Sequence, residues 1–317
     1  MRSVMLVFVV TAADEGSTLL AFLKKSLIAA NRGSEVPSVK ALKRVIDGRY
    51  CYVNKEVEIF SSHPLKKGDR VSLDPKGLEL SASKGKLSVP ILFEDESLLI
   101  CNKPPGMVCD AATISGIFSS GHRLVHRLDK ETSGVLILAK SEKVLEKMIS
   151  LFKEKRVKKL YLAIVDKEVK KEAGMISNRL AKKGAYQGQT LYGSVKTQQG
   201  LESITRWKAL AKVKTASFLA AEPVTGRTHQ LRVHFSEMGH PILGDHQYGK
   251  AFVCPLHPKR HLLHAYLISF PHPTLKKKIE VKAPIPSDFQ ECLRSLKLIE
   301  MAHPVEFFNE EEEDKSR

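Results

Sequence analysis

Only five cysteines occur in the 317 residues: Cys51, Cys101, Cys109, Cys254 and Cys292. They are odd in number and scattered, and no two form a C-x-x-C pair. This argues against a disulfide framework and a cysteine zinc site, and it fits a reducing cytoplasm. No stretch approaches the ~20 apolar residues of a membrane span, so no membrane association is expected. The apolar start, Met1 to Val10, is barely long enough for a secretory signal and reads better as an opening strand. There is no internal repeat and no H-E-x-x-H pattern. His229, His234, His240, His246, His257, His261 and His264 lack standard ligand spacing, so no metal is expected and ordinary hydrogen bonds are. Acid is also scarce, with Asp+Glu 35 against Lys+Arg 51 and a net charge of +16. Several of those acids sit together in Glu310 to Asp314. The body is therefore more basic than the total, which points to a polyanionic partner.

Hydrophobic residues make up 43% of the chain, enough for a sizeable core. The first 75 residues read as a module of their own. After a strand at Val4 to Val10, Ser17 can cap a helix with an apolar face of Leu19, Leu20, Phe22, Leu23, Leu27 and Ile28, stopped by Asn31-Arg32-Gly33. Ser38 caps a second helix carrying Lys40, Lys43 and Arg44, with Gly48 as its left-handed terminator. Two short strands follow around Asn54-Lys55, and Lys66 to Val71 is a turn into another strand. Residues 76–88, rich in Gly, Ser and Lys, read as a linker.

Residues 89–300 mix strands with a few helices, which indicates an α+β fold. Ile91-Phe93 and Leu98-Cys101 make a hairpin. Gly134 to Ala139 is continuously apolar, as a buried central strand should be. Ser141 opens a helix with a face of Val144, Leu145, Met148, Leu151 and Phe152, and Tyr161 to Val165 is a strand. Asp166 to Arg206 is polar and poorly patterned, so surface hairpins are expected there. Ser217 to Pro223 is a strand, followed by a tight Thr225-Gly226-Arg227 turn and a helix over Thr228 to Met238. A last helix covers Ser287 to Glu300, and 301–317 is an acidic tail.

Three polar clusters interrupt apolar surroundings. They are His126-Arg127-Leu128-Asp129 through Gly134, Lys159-Leu160-Tyr161-Leu162-Ala163, and Pro223 through His234 continuing to Gly249. A carboxylate at the mouth of a buried strand is partly desolvated and needs a cation to stay ionised. Arg127 is expected to point away from Asp129, which leaves a distant arginine such as Arg232 as the better partner. Arg232 and His229 are expected on one face of the short helix.

These clusters resemble the motifs of the RluA-like family of pseudouridine synthases. The resemblance includes Asn102-Lys103-Pro104-Pro105-Gly106, His261-Leu262-Leu263-His264-Ala265, Phe270-Pro271-His272-Pro273 and Pro284-Ile285-Pro286, in family order over about residues 89–289. It implies a catalytic domain built on a large mixed, mainly antiparallel sheet. Asp129 would be the catalytic aspartate, with attack on carbon and removal of the sugar C2′ proton both open to it. Tyr161 would stack on the base and Arg232 would pair with the aspartate. Arg127 would enter the helix stack as the uridine flips out. His126, Arg227 and His229 are assigned to RNA contact. The first 75 residues more loosely resemble the small RNA-binding domain named after ribosomal protein S-four, through two helices, an R-x-x-V-N-K stretch and K-K-G-D-R-V. In that reading Lys40, Lys43 and Arg44 also meet RNA. The expected protein is a cofactor-free, monomeric isomerase of uridine, with large-subunit ribosomal RNA as substrate and transfer RNA as the alternative. The rival readings are a non-catalytic RNA-binding or ribosome-assembly factor with the same fold, and a metal-dependent RNA hydrolase.

Overall fold

The computed structural model describes residues 5–30, 37–82, 89–118, 121–186, 189–196 and 198–299. The chain divides into two compact units, one of residues 1–86 with 185–189 and one of 87–184 with 190–317. The expected stop at Asn31-Arg32-Gly33, the 83–88 part of the expected linker and the acidic tail lie outside the described residues.

In the first unit an antiparallel sheet holds β1 (Leu6–Val9), β2 (Cys51–Val53), β3 (Glu56–Val57) and β4 (Arg70–Leu73) in the order β1-β4-β2-β3. Leu19, Phe22, Leu23 and Leu27 of α1 (Leu19–Ala30) meet Leu42, Val45 and Ile46 of α2 (Val39–Asp47) and Val71 and Leu73 of β4 in one buried cluster. Each fully buried side chain of this kind contributes about 1.5–3 kcal/mol. Ser38 caps α2 as expected, its side chain accepting from the Ala41 N–H. The β2–β3 turn also follows expectation. Asn54 and Lys55 both have positive φ, the geometry of a two-residue hairpin.

Three local readings need correction. Thr18, not Ser17, receives the first-turn Ala21 N–H of α1, because the Ser17 hydroxyl donates back to Asp14 O. The left-handed residue after α2 is Arg49 (φ 66°), whereas Gly48 has φ −75°. Gly48 is small for another reason, since a Cβ there would lie 2.8 Å from Arg44 O. Residues 75–82 are not linker but helix α3 (Pro75–Ala82). Proline at the first helical position suits a fixed φ, and Asp74 accepts the Lys76 N–H.

The second unit is an eleven-stranded sheet. Its strands are β5 (Ile91–Glu94), β6 (Leu98–Lys103), β7 (Arg123–Leu124), β8 (Ser133–Ala139), β9 (Lys158–Asp166), β10 (Ala173–Tyr186), β11 (Gln189–Ser194), β12 (Leu201–Val213), β13 (Ala216–Pro223), β14 (Leu263–Pro271) and β15 (Lys278–Lys282). The order is β11-β10-β12-β13-β9-β14-β8-β6-β5, with β15 on β14 and β7 on β8. The β8–β14 pair is parallel and β9 runs antiparallel to both β13 and β14, so the sheet is mixed but mainly antiparallel, an α+β architecture. Residues 166–206 therefore supply β10, β11 and part of β12 to the main sheet. Their polarity reflects position at one end of it rather than separate surface hairpins.

The helices of this unit are α4 (Ala111–Ile117), α5 (Glu142–Lys153), α6 (Gln230–Glu237) and α7 (Ser287–Ser295). The α5 face of Val144, Met148 and Leu151 packs on Val135, Ile137, Phe270 and Val281. Every residue of β8 is buried, as its unbroken apolar run requires. Helix α6 starts at Gln230, two residues later than expected, because His229 takes the left-handed conformation (φ 57°). Helix α7 ends at Ser295, short of the expected Glu300.

Gly134 (φ 112°) lies where β8 meets β14, and a Cβ there would stand 2.1 Å from Ala265 O. Backbone strain and overpacking then coincide. Gly134→Ala is expected to lower unfolding free energy by about 3 kcal/mol or more. Urea denaturation checks this, and an unchanged midpoint would contradict the close approach of β8 and β14.

Candidate active site

Asp129 sits in the loop that leads into β8, and that loop is clamped from several sides. The Thr132 N–H donates to Asp129 O at 3.1 Å, which closes a turn. Lys103, fully buried, donates its three ammonium hydrogens to Lys130 O (2.9 Å), Met107 O (2.9 Å) and Pro104 O (3.0 Å). Gly106 N–H adds a bond to Lys130 O. The Thr132 hydroxyl meets His261 Nε2 at 2.8 Å, and Arg260 donates to Glu131 O at 3.0 Å. Burial pushes Lys103 down to about 8, yet all three of its donors have acceptors.

The opposite wall is the turn into α6. Gln230 organises it. Its Oε1 accepts from the Thr225 hydroxyl (2.7 Å) and the Arg227 N–H (3.0 Å), and its Nε2 donates to Ile204 O and Thr205 Oγ1. This fixes the left-handed His229 and aims the first turn of α6 at Asp129.

Between the walls lies an open cleft with about 510 Å³ of empty volume. Arg127, Asp129, Lys159, Tyr161, His229 and Arg232 line it, together with Arg227. Arg232 is buried. It grips Asp245 through Nε (2.7 Å) and Nη2 (2.9 Å), and Nη2 also donates to Gln247 Oε1. The remaining Nη1 donates to Asp129 Oδ2 at 3.2 Å. His229 Nε2 stands 3.8 Å from the other oxygen, Oδ1. The guanidinium also lies over the Tyr248 ring, 5.0 Å from its centroid.

The electrostatics follow from this geometry. Burial works to raise Asp129, but the Arg232 charge, with its hydrogen bond, opposes it and the carboxyl is held below its ordinary 3.8. Asp245 behaves alike, with burial opposed by Arg232. Burial and the Asp129 charge push the Tyr161 phenol up, so it stays neutral at physiological pH. Burial brings Lys159 down to about 8 against the opposing pull of Glu222. Burial also lowers His229, and Asp129 only partly offsets it.

The expected residues distribute unevenly. Asp129, Tyr161, Arg232, Arg127, Arg227 and His229 come together in the cleft. Arg127 does not point away from Asp129: both line the cleft, as residues two apart in extended chain share a side. Arg232 nevertheless makes the ion pair. His229 shares no helical face with Arg232, since it precedes α6, but its left-handed backbone still brings it to Asp129. His126 is outside the cleft lining. Its Nε2 accepts the Ile137 N–H at 3.1 Å, its ring packs on Phe152, and burial lowers it to about 3. Lys43 and Arg44 are exposed on α2, which also carries Lys40. Sequence reasoning missed Lys103, Lys159, Gln230, Asp245 and Tyr248 as parts of the site. Asp245 and Tyr248 lie within the third polar cluster, so the pattern contained them without assigning them a task. Among the described residues no group of three His, Cys, Asp or Glu side chains converges to hold a metal, and no helix is long and apolar enough to cross a membrane.

Arg232→Met leaves the buried Asp245 and the partly exposed Asp129 uncompensated at neutral pH, at a cost of about 3–5 kcal/mol. In the native protein the depressed carboxyls contribute stability that is present above 3.8 and lost as pH falls through their lower folded values. In the variant their folded values rise, so the deficit should shrink on acidification. Denaturant unfolding at a series of pH values measures it. A deficit independent of pH would refute the charge argument.

Residues 97–237 match the family described as RNA pseudouridylate synthase. An uncharacterized RNA pseudouridine synthase of Synechocystis is 33% identical over 72% of this chain and 76% of its own length. Ribosomal large subunit pseudouridine synthase C of Vibrio cholerae is 32% identical over 77% of this chain and 84% of its own. The solved structure of human RNA pseudouridylate synthase domain containing 4 superposes with a TM-score of 0.55 and 25% identity, covering 66% of this chain and 93% of that one. A carboxylate held ionised beside a neutral tyrosine in a basic cleft, with relatives matched over most of their length, places this chain in the RNA pseudouridylate synthase family, as an isomerase of uridine in RNA.

Proposed function

We propose that the chain isomerises specific uridines of large-subunit ribosomal RNA, with Asp129 as the catalytic carboxylate. The observation that carries this is Asp129 itself, kept ionised by a buried Arg232 that Asp245 holds in place. The choice of RNA is supported by the relatives named ribosomal large subunit pseudouridine synthase C in two Vibrio species and Buchnera, 31–34% identical to this chain.

In this reading the target uridine leaves its stack and enters the cleft, and the Arg127 guanidinium occupies the vacated space. Tyr161, neutral, lies against the uracil. The N1–C1′ bond breaks, the base turns, and C5 bonds to C1′. The proton lost from C5 balances the one gained at N1, so the change is an isomerisation needing no cofactor. Arg232 engages Oδ2 of Asp129, which leaves Oδ1 to act on the nucleotide. Lys159, Arg227 and His229 face the RNA within the cleft. His126 acts from behind, since its ring anchors the segment leading to Arg127 through the Ile137 N–H. Closing RNA over the site keeps water from the detached base. The first unit serves as an S-four-type RNA-binding domain, with Lys40, Lys43 and Arg44 of α2 meeting phosphates. The chain acts as a monomer in the cytoplasm, a compartment that five free cysteines suit.

Asp129→Asn should lower single-turnover pseudouridine formation by several orders of magnitude while RNA affinity stays within about tenfold, or ~1.4 kcal/mol. Mapping pseudouridine across total RNA with and without the protein names the site, and normal turnover by the Asn variant would end the assignment. Any residual activity of Arg232→Met should be lost on acidification at a higher pH than in the wild type, because the unpaired Asp129 protonates sooner. Lys43→Glu with Arg44→Glu should weaken RNA binding and flatten its salt dependence by about one phosphate contact per charge. Wild-type affinity in that double variant would remove the first unit from RNA recognition.

A further inference from the structure

A second groove, larger than the cleft, lies where the end of β14 and the start of β15 meet the start of β9. It has about 1090 Å³ of empty volume, against 510 Å³ for the cleft. Five cations line it: Arg156, Lys158, Lys276, Lys277 and Lys278. The lysine run from Lys276 to Lys278 is exposed. Acids stand near as well, Asp95 on His272 among them. Glu154 pairs with Arg156 at 3.3 Å, and Glu280 stands opposite Ser269 across the β14–β15 ladder.

Two observations suggest a prepared surface rather than solvated charge. His272, buried at the groove wall, donates through Nε2 to Asp95 (2.8 Å) and accepts at Nδ1 from the Thr274 and Leu275 N–H groups (3.2 and 3.0 Å). This fixes the turn from which the lysine run departs. Ser269, 2% exposed, lines the same groove with a hydroxyl that has no hydrogen-bond partner among the described residues. A buried hydroxyl without a partner costs free energy unless a ligand or water satisfies it.

The groove is also tied to the cleft by chain geometry. Lys158 and Lys159 are consecutive in β9, so their side chains leave on opposite faces, one to each recess. From Tyr161 to Lys158 is three residues, ~10 Å along the strand. A polyanion long enough to fill the cleft and pass the strand end would reach the groove.

We propose that this groove binds the phosphodiester backbone of the RNA substrate at nucleotides flanking the target uridine, with Lys276, Lys277 and Lys278 as its principal contacts. The inference rests on the chain acting on RNA, and it assigns these residues to affinity and not to chemistry. Cations beside a hydroxyl, with the Phe270 and His272 rings buried in the wall rather than offered for stacking, fit a backbone better than bases.

The test compares K276Q/K277Q/K278Q and K276R/K277R/K278R with the wild type on a long RNA fragment containing the target and on a short oligonucleotide confined to the cleft. On the long RNA the Gln variant should bind ~10-fold more weakly at moderate salt, with a log–log salt slope shallower by about 2. The Arg variant should keep wild-type affinity and slope. On the short oligonucleotide all three proteins should show one single-turnover rate, and their melting temperatures should coincide. Unchanged affinity and slope in the Gln variant would overturn the proposal. An equal loss on both substrates would overturn it too, by placing the lysines' effect in the cleft or the fold. A wild type that modifies neither substrate would instead indict the functional reading.

Discussion

Two carboxylates share one guanidinium, and the site depends on how that sharing is divided. Asp245 takes the bidentate Nε/Nη2 edge of Arg232 with almost no exposure, so it neutralises and orients the arginine. Asp129 receives only the leftover Nη1 donor, at a longer 3.2 Å, and is about a quarter exposed. A buried bidentate pair has strict geometry, while a single outer hydrogen bond is weaker and leaves lone pairs free. The same arginine therefore stabilises one carboxylate as structure and holds the other ionised but available. Tyr248 beneath the guanidinium and Gln247 on Nη2 use up its remaining surface, which limits where Nη1 can point.

That arrangement requires Asp129 to stay in place, and backbone carbonyls provide the means. Lys103 collects three carbonyl oxygens, one of them on Lys130, the residue after Asp129, and Arg260 takes that of the next residue, Glu131. A lysine ammonium surrounded by acceptors draws a loop inwards without placing a second carboxylate near the site. The neighbouring histidines contribute as neutral groups. His261 and His264, lowered by burial to about 3 and about 4, join the hydroxyls of Thr132 in the loop and Ser133 at the start of β8 to β14 and the segment just before it. Their many appearances in the sequence invited a metal reading, but in the fold each of these two has a local hydrogen-bonding task.

Much of this was legible in the sequence where a single local rule governs. The buried run of β8, the Ser38 and Ser141 caps and the Asn54-Lys55 hairpin were each readable from a few residues. The need of a desolvated Asp129 for a cation was readable, but the choice of Arg232 rested on a wrong direction for Arg127, which lines the same cleft, and on the family resemblance. Other features depend on contacts between distant segments. Residues 76–82 were read as linker because the whole stretch 76–88 is rich in Gly, Ser and Lys. The Asp74-Pro75 start signal was there, but Gly77 is required by the Tyr50 ring, which a Cβ would approach to 2.5 Å. Residues 166–206 looked like surface because strands at one end of a sheet carry polar residues on both faces. Asp245 could not be singled out, since its importance lies in competing with Asp129 for one arginine, and nothing local to Asp245 records that.

The charge pattern of the cleft also bears on how a polyanion can approach a carboxylate. Four cations line it, Arg127, Lys159, Arg227 and Arg232, against one acid, Asp129. Had Arg232 been spent wholly on Asp245, the Asp129 charge would face incoming phosphates almost unshielded, and binding and ionisation would oppose each other. The shared guanidinium removes that conflict. It screens Asp129 from one side while Arg127, Lys159 and Arg227 draw phosphates to the cleft. Burial, which would otherwise protonate Asp129, strengthens the Arg232 interaction in the same medium. The low dielectric that makes an ionised carboxylate expensive is thus also what makes a single guanidinium sufficient to keep it.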